Sequence, residues 1–325
     1  SRIQLLAKQA KGTGRLFSSG TMPQSTYGMQ VGGQSVAALH SFDTLASKAS
    51  GSAGLNPCCI SVADYRMDKI PSVQLRVRQI ETWIRCWAGA DNLAKEDLTQ
   101  GWRVIRDDPT RLPVEEIWKK VSNPVSATIA TLLELGWHPG QADTWSTEDT
   151  CLRIGESSWK DSQILALASE EAELQAWKRA SSHKGGSGLE QGKPDWSAVK
   201  KAAKALRKEG LHRQAKCLEE VALGGADWEG SFPWGTKCVK CGKEGDTWQH
   251  RYYLCKEIGN VQDERCQKWV GKSHWLKKEL ESKLETPEAL WSRGILTYNL
   301  SGRLGQPNKG EVVNELQLII GSSPA

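Results

Sequence analysis

Cys238-Val-Lys-Cys241-Gly-Lys-Glu-Gly-Asp-Thr-Trp-Gln-His250-Arg-Tyr-Tyr-Leu-Cys255 carries three thiols and an imidazole at the spacing C-x2-C-x8-H-x4-C. Zinc takes thiolate sulfur and imidazole nitrogen tetrahedrally, and a C-x2-C turn lets two thiolates converge on one ion while the returning segment supplies His250 and Cys255. With Cys238, Cys241, His250 and Cys255 all engaged, no coordination position is left open, so the expected cofactor is one structural zinc ion. Gly242 and Gly245 suit the tight turns around it, because glycine accepts positive φ without a Cβ penalty. So short a segment has no core of its own. Metal binding would supply its folding free energy, on the order of 10 kcal/mol for small zinc modules.

These residues, with His250-Arg-Tyr-Tyr between the last two ligands, resemble the C-terminal CCHC motif of non-LTR (LINE-type) retrotransposon reverse transcriptases. Upstream, Gly20-Thr-Met-Pro23-Gln-Ser-Thr-Tyr27-Gly28 resembles the segment that follows the palm in those enzymes and opens the thumb. Downstream, Pro287-Glu-Ala-Leu-Trp291-Ser-Arg293-Gly294 resembles the tail that follows their zinc motif. The resemblance spans residues 20 to 294 and implies a thumb and C-terminal region, helical, ending in a zinc knuckle that grips RNA or DNA. It also implies that Lys240, Lys243, Arg251, Trp248 and Tyr252 or Tyr253 surround the metal, where cations meet phosphates and rings stack on unpaired bases.

A chain of 325 residues allows about two domains. Aromatic bulk is mostly indole, with 15 Trp against five Tyr and three Phe, and most of the indole rings are expected to pack cores. No run of 18 apolar residues predicts a membrane span. The first residue is Ser1, and residues 1–14 lack the apolar stretch of a signal peptide, so the sequence reads as a fragment. Nine irregularly spaced cysteines argue for a reducing intracellular compartment, nuclear or cytoplasmic, and against a disulfide framework.

The net charge of +5 is concentrated in one place. Residues 196–217 hold seven basic side chains, Lys200, Lys201, Lys204, Arg207, Lys208, Arg213 and Lys216, against the single acid Glu209, which leaves the rest of the chain near neutral. Such a cluster suits a polyanion, because each neutralised phosphate releases counterions. Asp195 is a plausible N-cap for a helix from Trp196 to Glu209 closed by Gly210. Trp196, Val199, Ala203 and Leu206 would share one face and the cations the other. Leu211 to Leu223 makes a second helix, so 195–223 reads as a basic helical hairpin.

The remainder predicts a mainly α fold. Arg2 to Phe17 reads as a helix ended by Ser18-Ser-Gly20, and Ser35 to Lys48 as another with Val36, Leu39, Phe42 and Leu45 on one side. Ile70-Pro71 to Ala90 is the strongest, with Val73, Val77, Ile80, Ile84 and Trp87 in a stripe and Arg76, Arg78 and Arg85 elsewhere. Asn92–Ile105, Pro113–Val121 and Pro124–Leu135 continue as helices, the last stopped by Gly136 and Pro139. Short strands are expected near Trp145, with His138 a loop residue rather than a ligand. Trp159 to Arg179 returns to helix. The expected domains are a helical thumb-like region over 1–150, a connecting helix over 151–180 and a Gly/Ser-rich linker over 181–194. After the hairpin come a zinc knuckle over 234–258 and a helical tail over 263–300, amphipathic from Asp263 to Leu284.

Nothing in the sequence assembles a catalytic centre. The adjacent acids Asp107-Asp108 sit in Ile105-Arg-Asp-Asp-Pro109, where Pro109 is wrong for the β-hairpin that carries paired metal-binding carboxylates in polymerases. The expected activity is therefore binding of RNA or DNA without catalysis, in a piece whose parent would be an RNA-directed DNA polymerase. No small-molecule substrate and no membrane partner are implied. The competing expectation is a helical scaffold or protein-interaction module in which zinc only staples two regions. Salt-sensitive nucleic-acid binding separates the two.

Overall fold

The structure, a computed structural model, describes residues 13–51, 57–106, 113–156, 159–183, 186–190 and 192–225. Beyond these it describes residues 237–238, 240–243, 255–257, 267, 293 and 295–297. The described chain is mainly helical and divides into two compact units, one of Ser1–Ser52 with Val62–Ala176 and one of Ala53–Ser61 with Trp177–Ala325.

In the first unit, Thr13–Leu16 (α1) runs into a π-helical turn, Phe17–Thr21, and then Met22–Ser25 (α2). The stop expected at Ser18-Ser-Gly20 does not occur. The hydroxyls of Ser18 and Ser19 donate back to the carbonyls of Gly14 and Arg15, at 3.0 and 2.8 Å, so their polar groups are satisfied inside the helix, a back-bonding that bends helices and here accompanies a π turn. Phe17 and Met22 are thereby buried with Leu39, Ala46 and Leu75. Met29–Gly32 (α3) follows, then Val36–Ala49 (α4), whose N-cap Ser35 accepts from the Ala38 amide. Cys59–Met67 (α5), divided between the units at Ser61 and Val62, is a helix that the sequence pattern does not announce.

Pro71–Gly89 (α6) begins with proline at its first turn, where the missing N–H is no loss, after an extended Ile70. Its second amide, on Ser72, donates to the buried carboxylate of Asp43 on α4 at 3.0 Å. Of the expected stripe, Val73, Ile80 and Ile84 are buried, each contributing roughly 2 kcal/mol of apolar burial, while Val77 and Trp87 are half-buried and Trp83, which the stripe leaves out, is buried. Arg76, expected on the outer side, is buried too, because the helix is covered by α3, α4 and a later helix at once. Its guanidinium pairs with Glu134, donates to the Gln34 carbonyl at 2.7 Å and lies 4.5 Å above the Trp118 ring. The Trp118 indole N–H donates to the same carboxylate at 3.0 Å. Beside them the Thr131 hydroxyl donates to Gln79 at 2.7 Å.

Asn92–Arg106 (α7) and Val114–Ile117 (α8), the latter continuing as a 3-10 turn Trp118–Lys120, lead to Pro124–Glu134 (α9). Asn123 and Ser126 close a reciprocal capping box at the start of α9. It packs on α3, α6 and α7 and ends where Gly136 takes φ +79° and lets Trp137 N–H reach back to Leu132. Asp107 and Asp108 lie outside the described residues. The following loop is held by three side-chain donors: the indoles of Trp83 and Trp102 reach the Ala142 and Pro139 carbonyls, and Arg106 reaches that of Gly140. Thr144–Ser146 (β1) and Cys151–Arg153 (β2) then pair antiparallel, Trp145 opposite Leu152, with His138 bridged to Ser146 through its backbone. Six of the nine described Trp side chains are buried, so indole is mainly core material here.

The division between units falls within Asp161–Ser181 (α10), at Ala176 and Trp177. In the second unit, the segment expected as a Gly/Ser-rich linker is turned and anchored where it is described. Gly186, Leu189 and Gly192 amides bond back three residues, Leu189 is fully buried and Arg293 donates to the Ser187 carbonyl. Pro194–Asp195 (β3) pairs antiparallel with Leu296–Thr297 (β4). Within the helical tail expected over 263–300, then, residues 296–297 are strand. Apart from Gln267, the amphipathic stretch 263–284 lies outside the described residues. Ser197–Lys208 (α11) and His212–Ala222 (α12) form the expected hairpin. None of the described helices is long and apolar enough to cross a membrane.

Candidate metal centre and basic hairpin

Cys238 to Lys243 make a knuckle closed by two 2.8 Å backbone bonds, from Cys238 N–H to the Lys243 carbonyl and from Gly242 N–H to the Cys238 carbonyl. Gly242 sits at φ +70°, the left-handed conformation the spacing requires of it. The turn aims the Cys238 and Cys241 sulfurs the same way, and Cys255 meets them. The three sulfurs all lie within 4.8 Å of one another, with Cys238 Sγ 3.9 Å from Cys255 Sγ. That separation is far too long for a disulfide, and all three are free thiols. It matches the edge of a tetrahedron with metal–sulfur bonds of about 2.3 Å, which is about 3.8 Å. These three residues can hold one metal ion.

Cys238 and Cys255 are buried and Cys241 partly so. Burial pushes the Cys255 thiol up from its ordinary value, since a thiolate is poorly solvated there, and the neighbouring Cys241 and Cys238 push it the same way. A hydrogen bond from the Glu257 amide works against this by stabilising the thiolate. A cation would reverse the balance, because a coordinating thiol is deprotonated outright. The expected fourth ligand, His250, lies outside the described residues, as do Trp248, Arg251, Tyr252 and Tyr253. Lys240 and Lys243 are exposed on the knuckle itself.

The hairpin is built from the same logic of faces. On α11, Val199, Ala202 and Ala203 are buried against the rest of the unit. At 100° per residue, Lys200, Lys201, Lys204, Arg207 and Lys208 occupy a continuous arc of about 120° on the opposite side. All five are exposed. Asp195 is not the N-cap expected of it: the helix begins at Ser197 with Trp196 in the cap position and no side-chain cap bond there, and the Asp195 carboxylate, one residue further out, accepts from the Ser197 amide at 2.8 Å. Gly210, at φ +77°, ends α11, and the Leu211 amide reaches back to Leu206 to close the turn. Lys216 pairs with Glu220 one turn on along α12.

Sequence reasoning missed the role of Glu219. It is buried at 2% exposure and its carboxylate takes the Arg207 guanidinium at 2.8 Å. Arg207 is thus a strut between α11 and α12 as well as a surface cation. The apolar spacing of α12 alone gives no sign of this, since a glutamate among Ala215, Leu218 and Ala222 reads as a helix former. Compared with protein-family models, with curated proteins and with solved structures, the chain matches none.

Proposed function

We propose that this chain is a nucleic-acid-binding C-terminal region of a non-LTR retrotransposon reverse transcriptase, without the catalytic palm, in which Cys238, Cys241, His250 and Cys255 hold one structural zinc ion. The observation that carries the binding reading is the lysine arc of α11, turned outward opposite a buried Val199-Ala202-Ala203 side. A helix that merely needed solubility would mix charge signs; this one presents a single sign over its exposed arc. The convergent thiols support the metal part, because their chemistry and separation suit zinc and the spacing places an imidazole nine residues beyond Cys241. Zinc would fold the knuckle and expose Lys240 and Lys243 beside it. The chain's own side chains would do the gripping: lysines at the phosphates, and Trp248, Arg251 and Tyr252 on unpaired bases.

A second reading, a zinc-stapled scaffold, draws support from Arg207 and Glu219, which spend one cation of the arc on holding the hairpin together. The test is binding of labelled RNA and DNA to the zinc-supplied chain across a salt series. The nucleic-acid reading expects log K to fall with log salt by several units, about 0.7 to 0.9 per phosphate contact. A folded, zinc-loaded chain that binds neither polymer at micromolar concentration leaves the scaffold reading standing.

A further inference from the structure

We infer that the outward face of α11 is a docking strip for the phosphate backbone of double-stranded nucleic acid, gripped without regard to sequence; this rests on the nucleic-acid reading above and specifies its ligand. Three observations narrow the ligand. Lys201, Lys204 and Lys208 are exposed and lie within about 60° of arc along about 10 Å of helix axis, by the 100° and 1.5 Å per residue of an α-helix. They form a straight row of point charges.

The strip itself also lacks any ring to offer a base. Residues 197–208 contain no Phe, Tyr, Trp or His, and the flanking Trp196 is only 5% exposed. Single-strand binders gain roughly 1–3 kcal/mol per base from aromatic stacking, and none of that is available here. Nor is there a group set to read base edges. The forked guanidinium that best matches a guanine edge occurs on α11 only at Arg207, which is already engaged by buried Glu219 at 2.8 Å. What remains is lysine, a compact charge that seeks phosphate oxygens. A duplex concentrates phosphates from two strands, and each contact releases about 0.9 counterions against about 0.7 on a single strand. With stacking and base readout both removed, that difference favours the duplex.

The experiment uses the full chain with zinc supplied, a duplex of about 20 base pairs, a scrambled duplex and the matching single strand, each over a salt series. K201Q/K204Q/K208Q should lower the duplex slope of log K against log salt by about 2.7, from three contacts at about 0.9 each, which between 50 and 200 mM salt is about a 40-fold smaller loss of affinity. The single-strand slope should fall by less, at most about 2.1 at about 0.7 per contact, and both duplexes should behave alike. Glutamine keeps nearly the helix propensity of lysine, so far-ultraviolet circular dichroism should not move. K201R/K204R/K208R should retain the wild-type slope. An unchanged duplex slope in the glutamine variant overturns the inference, as does an equal loss on the single strand or lysine-dependent binding confined to anionic phosphatidylserine vesicles. Wild-type binding to single strands but not to duplexes overturns this inference and leaves the nucleic-acid reading intact, whereas binding to neither removes both.

Discussion

Gly33 leaves little room for a side chain. A Cβ there would lie 2.7 Å from the Trp118 ring and 3.0 Å from the Gln79 amide, at φ +66°. With ψ at −178° the backbone lies in a region that only glycine readily enters, at a cost to an L-residue of about 1–3 kcal/mol, and the ring must also shift, so Gly33→Ala should lower the thermal midpoint by several degrees in calorimetry. Arg76 shows a different dependence. Its charge is matched by Glu134, so Glu134→Ala should destabilise by about 3–5 kcal/mol in urea unfolding, while Arg76→Met with Glu134→Leu should lose far less. An equal loss in both chains would show that packing, not an uncompensated charge, governs the site. The sequence places Arg76 on the outer side because its stripe names only one apolar face; it carries no sign that α3, α4 and α9 cover the flank. At the thiols the sequence is more informative, since ligand spacing is local. Zinc content should fall from about one per chain after Cys241→Ser or His250→Ala, and an unchanged content would remove that ligand from the set.

Among the elements, those with one buried face were legible and those without were not. Pro71–Gly89 and Ser197–Lys208 alternate buried and exposed positions at the helical period, and the hydrophobic spacing found both. Cys59–Met67 escaped because residues 60–65 are buried without a break, Ser61 and Asp64 included, so there is no period to detect. The π turn at Phe17–Thr21 escaped because serine and glycine usually end helices, and only the back-bonded hydroxyls reverse that. The Gly/Ser-rich stretch misled in the opposite sense. Its composition describes backbone freedom, whereas Leu189, Arg293 and the β3–β4 pair supply contacts distant in sequence. The hairpin was found, but not the Arg207–Glu219 strut, which joins two helices that each look self-sufficient.

For the molecule as a whole, the three convergent thiols and the polar network lie in different units. Chelation should therefore abolish knuckle protection in amide exchange while leaving α6 and α9 amides as slow as before. Acid and base should act on the knuckle with opposite signs. With metal bound, falling pH protonates the thiolates and releases the ion. Without metal, the raised Cys255 thiol favours the fold while it keeps its proton, so that contribution is present below the ordinary thiol value and is lost as pH climbs through the raised one. Exchange rates across a pH series, with and without zinc, check both signs. Trp83 and Trp102 bear on how such experiments are read. Their rings are 5.1 Å apart, tilted by 48° and each tied by its indole N–H to a loop carbonyl. Two chromophores fixed so near each other at an oblique angle couple their transition dipoles, and the coupling produces a circular-dichroism couplet that vanishes once either ring turns freely. The first unit thus carries a built-in optical gauge of its own integrity, readable without a label while zinc is added to or stripped from the other.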